Sequence, residues 1–177
     1  MKGQPRAFYR VWQFWKTLTG TLSPGDWSEI RLTLNPNEIA LFERMGRADQ
    51  AHCFRVMKAL QADGYVDPSL LAAALLHDSG KGIHPLRFWE RPMPVLAKFL
   101  LREETQTLGT DSPSGWRRSL AIAKQHPVWG AEIAARAGAS SLTVWLIRHH
   151  QNTHPPHHEH PDAKRFLSYL KKADNQN

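Results

Sequence analysis

The sequence has little of what secreted and membrane proteins require. It contains a single cysteine, Cys53, so no intramolecular disulfide can form, and this fits a reducing compartment. No apolar run approaches the ~18 residues that a membrane-spanning helix needs. The N-terminal residues also lack the apolar stretch of a signal peptide. We therefore expect a cytoplasmic protein with no membrane span.

Strand patterns and internal repeats are almost missing as well. Only residues 30–34 alternate apolar and polar side chains, and this segment is short. Elsewhere apolar residues recur at helical spacing. The sequence predicts an all-α, single-domain helical bundle of about seven to eight helices. We expect N-terminal helices within residues 1–46 to pack on a core domain over residues 47–177.

Proline marks several of the predicted helix boundaries. Asn35-Pro36 and Asp67-Pro68 each combine a capping side chain with proline at the first helical position, which predicts a helix start. By the same rule, we expect a short helix over residues 116–124 to end before Pro127, where a second helix would begin. Residues 19–26 read as a linker between helices.

The chain is basic, with a net charge of +7 and a sequence pI of about 9.9. This balance favours an anionic partner. A solvated basic surface without a specific partner explains the same numbers. Arg and Lys are scattered rather than clustered in one tract, so nucleic acid is not strongly indicated. Composition carries no signal for the oligomeric state.

Histidine and aspartate recur where an apolar residue would pack better. His77 and Asp78 follow the apolar run 70–76, and burying them is costly unless something pairs them. A single histidine on an apolar face is more often a satisfied core residue. The joint pattern, however, indicates imidazole and carboxylate ligands that converge from several helices on a metal site in the core. The other members of this set are His52, His126, His149, His150 and Asp174.

These residues also carry a resemblance to a known family. The order of His52, His77-Asp78 and Asp174 resembles the metal motif of the HD-domain superfamily of metal-dependent phosphohydrolases. Within it, residues 77–81 (HDSGK) resemble an HD-x-G-K signature, and residues 126–130 (HPVWG) resemble an H-P-x-x-G segment. Residues 147–150 (IRHH) and the Ala-Asp pair that ends at Asp174 resemble two further segments, so the likeness spans residues 47–174.

The sequence departs from one branch of that superfamily. Its ligand set is similar to that of the HD-GYP group, but no Gly-Tyr-Pro follows His150. This argues against a standard cyclic-di-GMP phosphodiesterase of the HD-GYP type. That group can carry a glutamate four residues before its first histidine as a ligand to a third metal. Ala48 stands at that position here, so we expect two ions rather than three.

The resemblance implies two divalent transition metal ions (Fe, Mn, Co, Ni or Zn). It assigns His52, His77, Asp78 and Asp174 to one ion, and Asp78, His126 and His150 to the other. Asp78 would then bridge ions about 3.5–4 Å apart and help to generate the hydroxide that attacks phosphorus. The expected substrate is a small anionic molecule, a nucleotide or dinucleotide, in which a phosphoester or phosphoanhydride bond is cleaved.

Other basic residues are candidates for substrate binding. Lys81 follows the ligands by three residues and could reach a phosphate oxygen as a point charge, so we assign it catalytic and substrate-binding roles. A solvated lysine at a helix end is the alternative. His84 and Arg87 are candidates for the rim of the pocket, and both could equally be surface residues. The histidine-rich segment 154–160 reads as an exposed loop rather than a built site.

The adjacent histidines 149 and 150 pose a choice, because neighbours on a helix point about 100° apart. The apolar stripe of Leu142, Trp145 and Leu146 favours His149 as the ligand. The family resemblance favours His150, and we expect His150 to bind metal.

Two other functions fit the same ligands. One is a mixed-valent diiron oxygenase that cleaves C–C or C–P bonds, and its oxygen demand would distinguish it from a hydrolase. The other is a non-catalytic module that senses a nucleotide, which would bind tightly without turnover.

Overall fold

The computed structural model describes residues 21–83 and 116–177. Within these ranges the chain is all-helical, which confirms the predicted fold class. No helix of this part is long and apolar enough to cross a membrane. The part of the predicted N-terminal helices that precedes residue 21 lies outside the described residues. The elements are α1 (Pro24–Thr33), α2 (Pro36–Glu43), α3 (Arg47–Ala62), α4 (Pro68–Leu76), a 3-10 helix (Ser79–Ile83), α5 (Trp116–Arg136), α6 (Ser141–His149) and α7 (Ala163–Gln176).

Side-chain caps fix the starts of α2 and α4 where the proline signals predict them. The Asn35 side chain accepts hydrogen bonds from the backbone N–H groups of Asn37 and Glu38, at 2.9 and 3.0 Å. The Glu38 carboxylate accepts from the Asn35 N–H at 2.8 Å, which completes a capping box. Asp67 caps α4 in a similar way. These bonds satisfy N–H groups that a helix start leaves without partners.

Helix α1 begins inside the predicted linker 19–26, which is wrong for residues 24–26, and it continues through most of the alternating segment 30–34, which is no strand. Ser23 caps α1, Pro24 is its first residue, and Asp26 completes a capping box with Ser23. The linker prediction overlooked this signal for a helix start. Ile30 and Leu34, one turn apart, are both buried, whereas Leu32 is 89% exposed. The alternation was therefore one turn of an amphipathic helix, too short to distinguish from a strand.

The predicted break before Pro127 is also wrong. Helix α5 runs through Pro127 without interruption, although proline removes one backbone hydrogen bond of the helix. The inner face of this helix, which includes Ile122, His126 and Ala134, is buried against the 3-10 helix and α6. Tertiary packing of this face outweighs the loss of one hydrogen bond.

Helix α4 is the centre of the core, and every residue from Leu70 to Leu76 is buried. Helices α3, α6 and α7 contact it, and α1 and α2 cover it from the N-terminal side. Ile30 and Phe42 of these two helices belong to the same apolar cluster as Leu146 of α6. The division of the chain at residue 46 stays a prediction.

Two glycines let the 3-10 helix approach α5 at backbone distance. A Cβ atom on Gly80 would lie 2.7 Å from the Gly130 nitrogen and closer still to the His126 carbonyl oxygen. A Cβ on Gly130 would lie 3.2 Å from the Gly80 nitrogen. This contact holds the segment after Asp78 against the helix that carries His126.

We expect Gly80→Ala to lower the free energy of unfolding by about 2 kcal/mol or more, because the new methyl group must displace backbone atoms. Gly25→Ala is the matched control, since a Cβ atom on Gly25 would have the Ser23 hydroxyl, at 3.7 Å, as its nearest neighbour. The control should not be destabilised, because alanine without a steric conflict in a helix changes stability by about 0 to +1 kcal/mol relative to glycine. Urea unfolding measures both variants, and equal stabilities would show that the close approach is not a constraint.

Candidate metal centre

Five elements bring histidine and aspartate side chains to one place in the core. His52 comes from the middle of α3, and His126 comes from α5. His77 and Asp78 follow directly after α4, and the remaining two side chains, His150 and Asp174, come from the end of α6 and from α7. Burial of all these polar groups requires that they satisfy one another or share a cation.

The first group consists of His52, His77 and Asp174. The His52 Nε2–H donates to Asp174 Oδ1 at 2.9 Å, and His77 Nε2 lies 3.5 Å from the same oxygen. One potential ligand atom from each residue lies within 4.8 Å of the others. His77 is buried, whereas His52 and Asp174 are partly exposed and form the more open side of the centre.

The second group consists of Asp78, His126 and His150, which are all buried. His126 Nε2 lies 3.2 Å from Asp78 Oδ1, and the ring centroids of His126 and His150 are 5.2 Å apart. The other carboxylate oxygen, Asp78 Oδ2, lies 3.7 Å from His77 Nε2. The two oxygens of one buried carboxylate therefore face the two groups.

Backbone carbonyls orient the three buried histidines. The Nδ1–H groups of His77, His126 and His150 donate to the carbonyl oxygens of Ala74, Ile122 and Ile147, at 2.9, 3.1 and 2.7 Å. A carbonyl can only accept a hydrogen bond, so Nδ1 carries the proton in each ring. The neutral ring then presents its Nε2 lone pair, which is how proteins prepare histidine for a metal ion.

These tautomers leave two ring nitrogens, His77 Nε2 and His126 Nε2, with a lone pair that faces the centre. His77 Nε2 is buried without a hydrogen-bond partner, and the lone pair of His126 Nε2 faces a carboxylate oxygen. A lone pair opposed to a carboxylate needs a cation between them, either a proton or a metal ion. Imidazole and carboxylate suit Fe, Mn, Co, Ni and Zn. This donor set therefore fits divalent transition metals.

Charge separation within the centre shifts several pKa values. Burial favours the neutral form of Asp78, but the positive charges of Lys81 and the nearby histidines outweigh it and hold the pKa of Asp78 well below its usual value. Asp174 has a lowered pKa for a related reason, since the hydrogen bond from His52 and the positive charge of His77 overcome its burial. Both carboxylates are thus ionised at neutral pH, as metal ligands must be.

The buried imidazoles differ in their affinity for a proton. Burial and the charge of His77 lower the pKa of His150 to about 3, so His150 is neutral at physiological pH. Burial also disfavours a charge on His77, but Cys53, Asp78 and Asp174 outweigh it and raise the pKa of His77 well above its usual value. A proton and a metal ion therefore compete for His77 Nε2.

Cys53 is a neighbour of the centre that the sequence analysis did not anticipate. Its sulfur lies 3.7 Å from His77 Nδ1, and packing of α3 on α4 brings it there. Burial raises the pKa of the Cys53 thiol, so it is protonated at neutral pH. Because metals bind the thiolate, this position does not favour Cys53 as a ligand.

Lys81 lies against Asp78, on the carboxylate oxygen that faces His77. Its Nζ forms a salt bridge of 2.6 Å with Asp78 Oδ2, and its side chain is 34% exposed, whereas that of Asp78 is 4% exposed. The charge of Asp78 raises the pKa of Lys81 despite the burial, so the lysine stays positive. The ammonium group thus connects the buried carboxylate with the solvent side of the centre.

His149 points away from the two groups. Its Nδ1 accepts a hydrogen bond from the Asn152 side chain at 2.9 Å, and its ring lies 5.1 Å from that of Trp145. It lines an open cleft of about 450 Å³. Burial, with the positive charges of Arg148 and Lys171, lowers the pKa of His149.

The remaining candidates lie elsewhere. His84 and Arg87 lie outside the described residues. Segment 154–160 has no regular secondary structure and does not join any metal-competent group in the described part of the chain. Two of its rings accept hydrogen bonds from the backbone N–H group two residues further along the chain. His158 Nδ1 accepts from the His160 N–H, and His160 Nδ1 accepts from the Asp162 N–H.

The chain is thus an all-α bundle with groups of histidine and aspartate side chains in its core that could hold metal ions. The chain matches the HD domain family over residues 50–175, and it belongs to that family. HD-domain proteins are generally metal-dependent phosphohydrolases, so the family and the ligand clusters agree on a metal-dependent hydrolase. Comparisons with curated proteins and with solved structures gave no significant match.

We expect Mn²⁺ affinity to increase between about pH 6 and pH 8, by up to about tenfold per pH unit, because the metal must displace the proton that His77 holds at its raised pKa. Calorimetry in two buffers of different ionisation enthalpy gives both the affinity and the number of protons released. His154, His157, His158 and His160 should be replaced by glutamine so that the loop does not bind metal. Affinity that is independent of pH, with no proton release, would contradict the competition.

Proposed function

We propose that this protein is a metal-dependent phosphohydrolase with two divalent transition metal ions. The observation that carries the proposal is the position of Asp78, whose two carboxylate oxygens face two separate groups of histidine ligands. A bridging carboxylate between such groups is typical of dinuclear sites that cleave phosphate esters. Membership of the HD-domain family supports the same reaction class.

The proposed ligands follow the two groups. His52, His77, Asp78 and Asp174 would hold one ion, and Asp78, His126 and His150 would hold the other. When bound, such ions make water acidic enough to yield hydroxide near neutral pH and offset the charge of the phosphoryl group. His149 is not a ligand in this proposal, because its ring bonds to Asn152 and lines the neighbouring cleft.

The chain's own groups orient and neutralise the substrate. The backbone carbonyls that hold the three buried rings remove the need to reorganise them during the reaction. The Lys81 ammonium, held beside Asp78, would bind a non-bridging phosphate oxygen as a point charge. Closure of the core around Asp78 keeps bulk water from the buried side.

A small anionic substrate of the nucleotide or dinucleotide class fits this arrangement. The net charge of +7 attracts such molecules, and the cleft beside the centre can hold more than a phosphate. The single buried cysteine agrees with a cytoplasmic location, which stays a prediction.

The metal content of three alanine variants tests the ligand assignment. We expect Asp78→Ala to lose both ions, because it removes the proposed bridge, and His150→Ala to lose about one of the two. His149→Ala is the matched control and should keep both. Elemental analysis should use protein with the loop histidines replaced. Near-full occupancy in Asp78→Ala, or loss of metal in His149→Ala but not in His150→Ala, would contradict the assignment.

Hydrolysis itself is tested with metal-depleted protein that is reloaded with Mn, Fe, Co or Ni and given a panel of nucleotides and dinucleotides without oxygen. We expect metal-dependent release of phosphate or a nucleotide, and Lys81→Ala should lower kcat by about 10²-fold or more while metal content stays intact. Thermal denaturation and metal analysis of the variant provide the control.

Each alternative function predicts a different outcome. Turnover that strictly requires oxygen would favour a diiron oxygenase. Tight nucleotide binding without turnover would favour a sensing module. Normal turnover by the metal-loaded Lys81→Ala protein would show that the lysine is structural.

A further inference from the structure

The cleft of about 450 Å³ lies directly beside the second group of ligands. Its wall includes His149 and Gln151, the two neighbours of His150 in the chain, and Pro127, which follows His126. The Gln151 Nε2 atom lies 3.5 Å from His126 Nε2. A molecule whose phosphoryl group occupies the metal centre would therefore extend past Gln151 into this cleft.

The lining of the cleft has a definite chemical character. Arg148 supplies a guanidinium group, and none of the described residues that line the cleft is acidic. Gln151 and Asn152 add amide groups, and Asn152 is already oriented by its hydrogen bond to His149. Val128, which is 39% exposed, contributes an apolar wall. The cleft thus combines two cationic side chains, Arg148 and Lys124, with amides and an apolar surface.

Arg148 is half-buried and forms no salt bridge with any carboxylate in the described part of the chain. By contrast, Arg165 on the surface pairs with Asp162 at 3.0 Å. A guanidinium group presents a planar set of donors that matches phosphate or carboxylate oxygens in pairs. Arg148 thus has the chemistry and the position to bind an anion inside the cleft.

We infer that Arg148 is a specificity-determining residue that binds a second anionic group of the substrate, distinct from the phosphoryl group that reacts. The substrate class is then an organic phosphate with two anionic groups and an apolar moiety that packs on Val128, as in a linear dinucleotide. This inference rests on the proposed function, because the metal centre defines where the reacting phosphoryl group lies.

Calorimetry on the full-length, Mn-loaded protein tests the inference with two probes. One is a linear adenosine dinucleotide, pApA, with a phosphorothioate linkage that resists cleavage, and the other is inorganic phosphate, which has no second anionic group. We expect Arg148→Gln to weaken pApA binding about tenfold and phosphate binding less than about twofold. Arg148→Lys should weaken pApA binding roughly threefold, because lysine keeps the charge but lacks the planar set of donors.

Arg31→Gln on α1 is the matched control, since it removes the same charge from a helix that does not line the cleft. Equal weakening of pApA by Arg31→Gln and Arg148→Gln would overturn the inference, because it would show an effect of net charge alone. Equal weakening of both probes by Arg148→Gln would also overturn it. If Arg148→Gln does not fold, Arg148→Lys decides the question. The inference is overturned if the Arg148→Lys protein binds pApA as tightly as the parent protein.

Binding and turnover separate this inference from the proposed function. Selective loss of pApA affinity in Arg148→Gln, together with no metal-dependent hydrolysis of unmodified pApA or of the nucleotide panel by the parent protein, would retain the cleft assignment and overturn the hydrolase. If the protein hydrolyses nucleotides but its affinity for pApA does not depend on Arg148, the hydrolase is retained and the cleft assignment is overturned.

Discussion

The burial of the Asp78 carboxylate is the constraint on which the rest of this structure depends. Its side chain is 4% exposed, and an unpaired carboxylate at such a depth would cost many kcal/mol. Lys81, His126 and His77 surround it at 2.6, 3.2 and 3.7 Å. These partners come from three different elements, so the chain must bring the elements together before Asp78 can be ionised at low energetic cost.

The backbone supplies that juxtaposition. Helix α4 ends at Leu76, and the 3-10 helix that follows turns so that Gly80 contacts α5 without a side chain between them. Carbonyl oxygens near the helix ends and within α5 then orient three imidazoles towards the carboxylate. The ligand geometry is therefore a consequence of helix packing and backbone hydrogen bonds rather than of flexible side chains.

Much of this architecture is readable from residue patterns. The apolar run of α4 and the capping residues Asn35 and Asp67 predict helices correctly, because local bonds decide those boundaries. Pro127 and the segment 30–34 mislead, because tertiary packing decides whether a helix continues. The family match confirms the resemblance carried by the spaced histidines and aspartates.

Other features depend on three-dimensional detail that a pattern does not contain. His149 continues the stripe of Trp145 and packs on its ring, as the periodicity indicates, while His150 bonds back to Ile147 and turns towards Asp78. Cys53 and the Arg148 cleft lie near the centre only because α3 and α6 pack on α4 and α5 packs on α6. The proposed metal role of His150 rests on this geometry.

Anomalous diffraction from crystals of the Mn-loaded protein, recorded on both sides of the manganese absorption edge, tests the central claim most directly. The account predicts two peaks in the core, one on each side of Asp78, with His52, His77 and Asp174 at one peak and His126 and His150 at the other. A single peak in the core, or peaks confined to the histidine-rich segment 154–160, would contradict it.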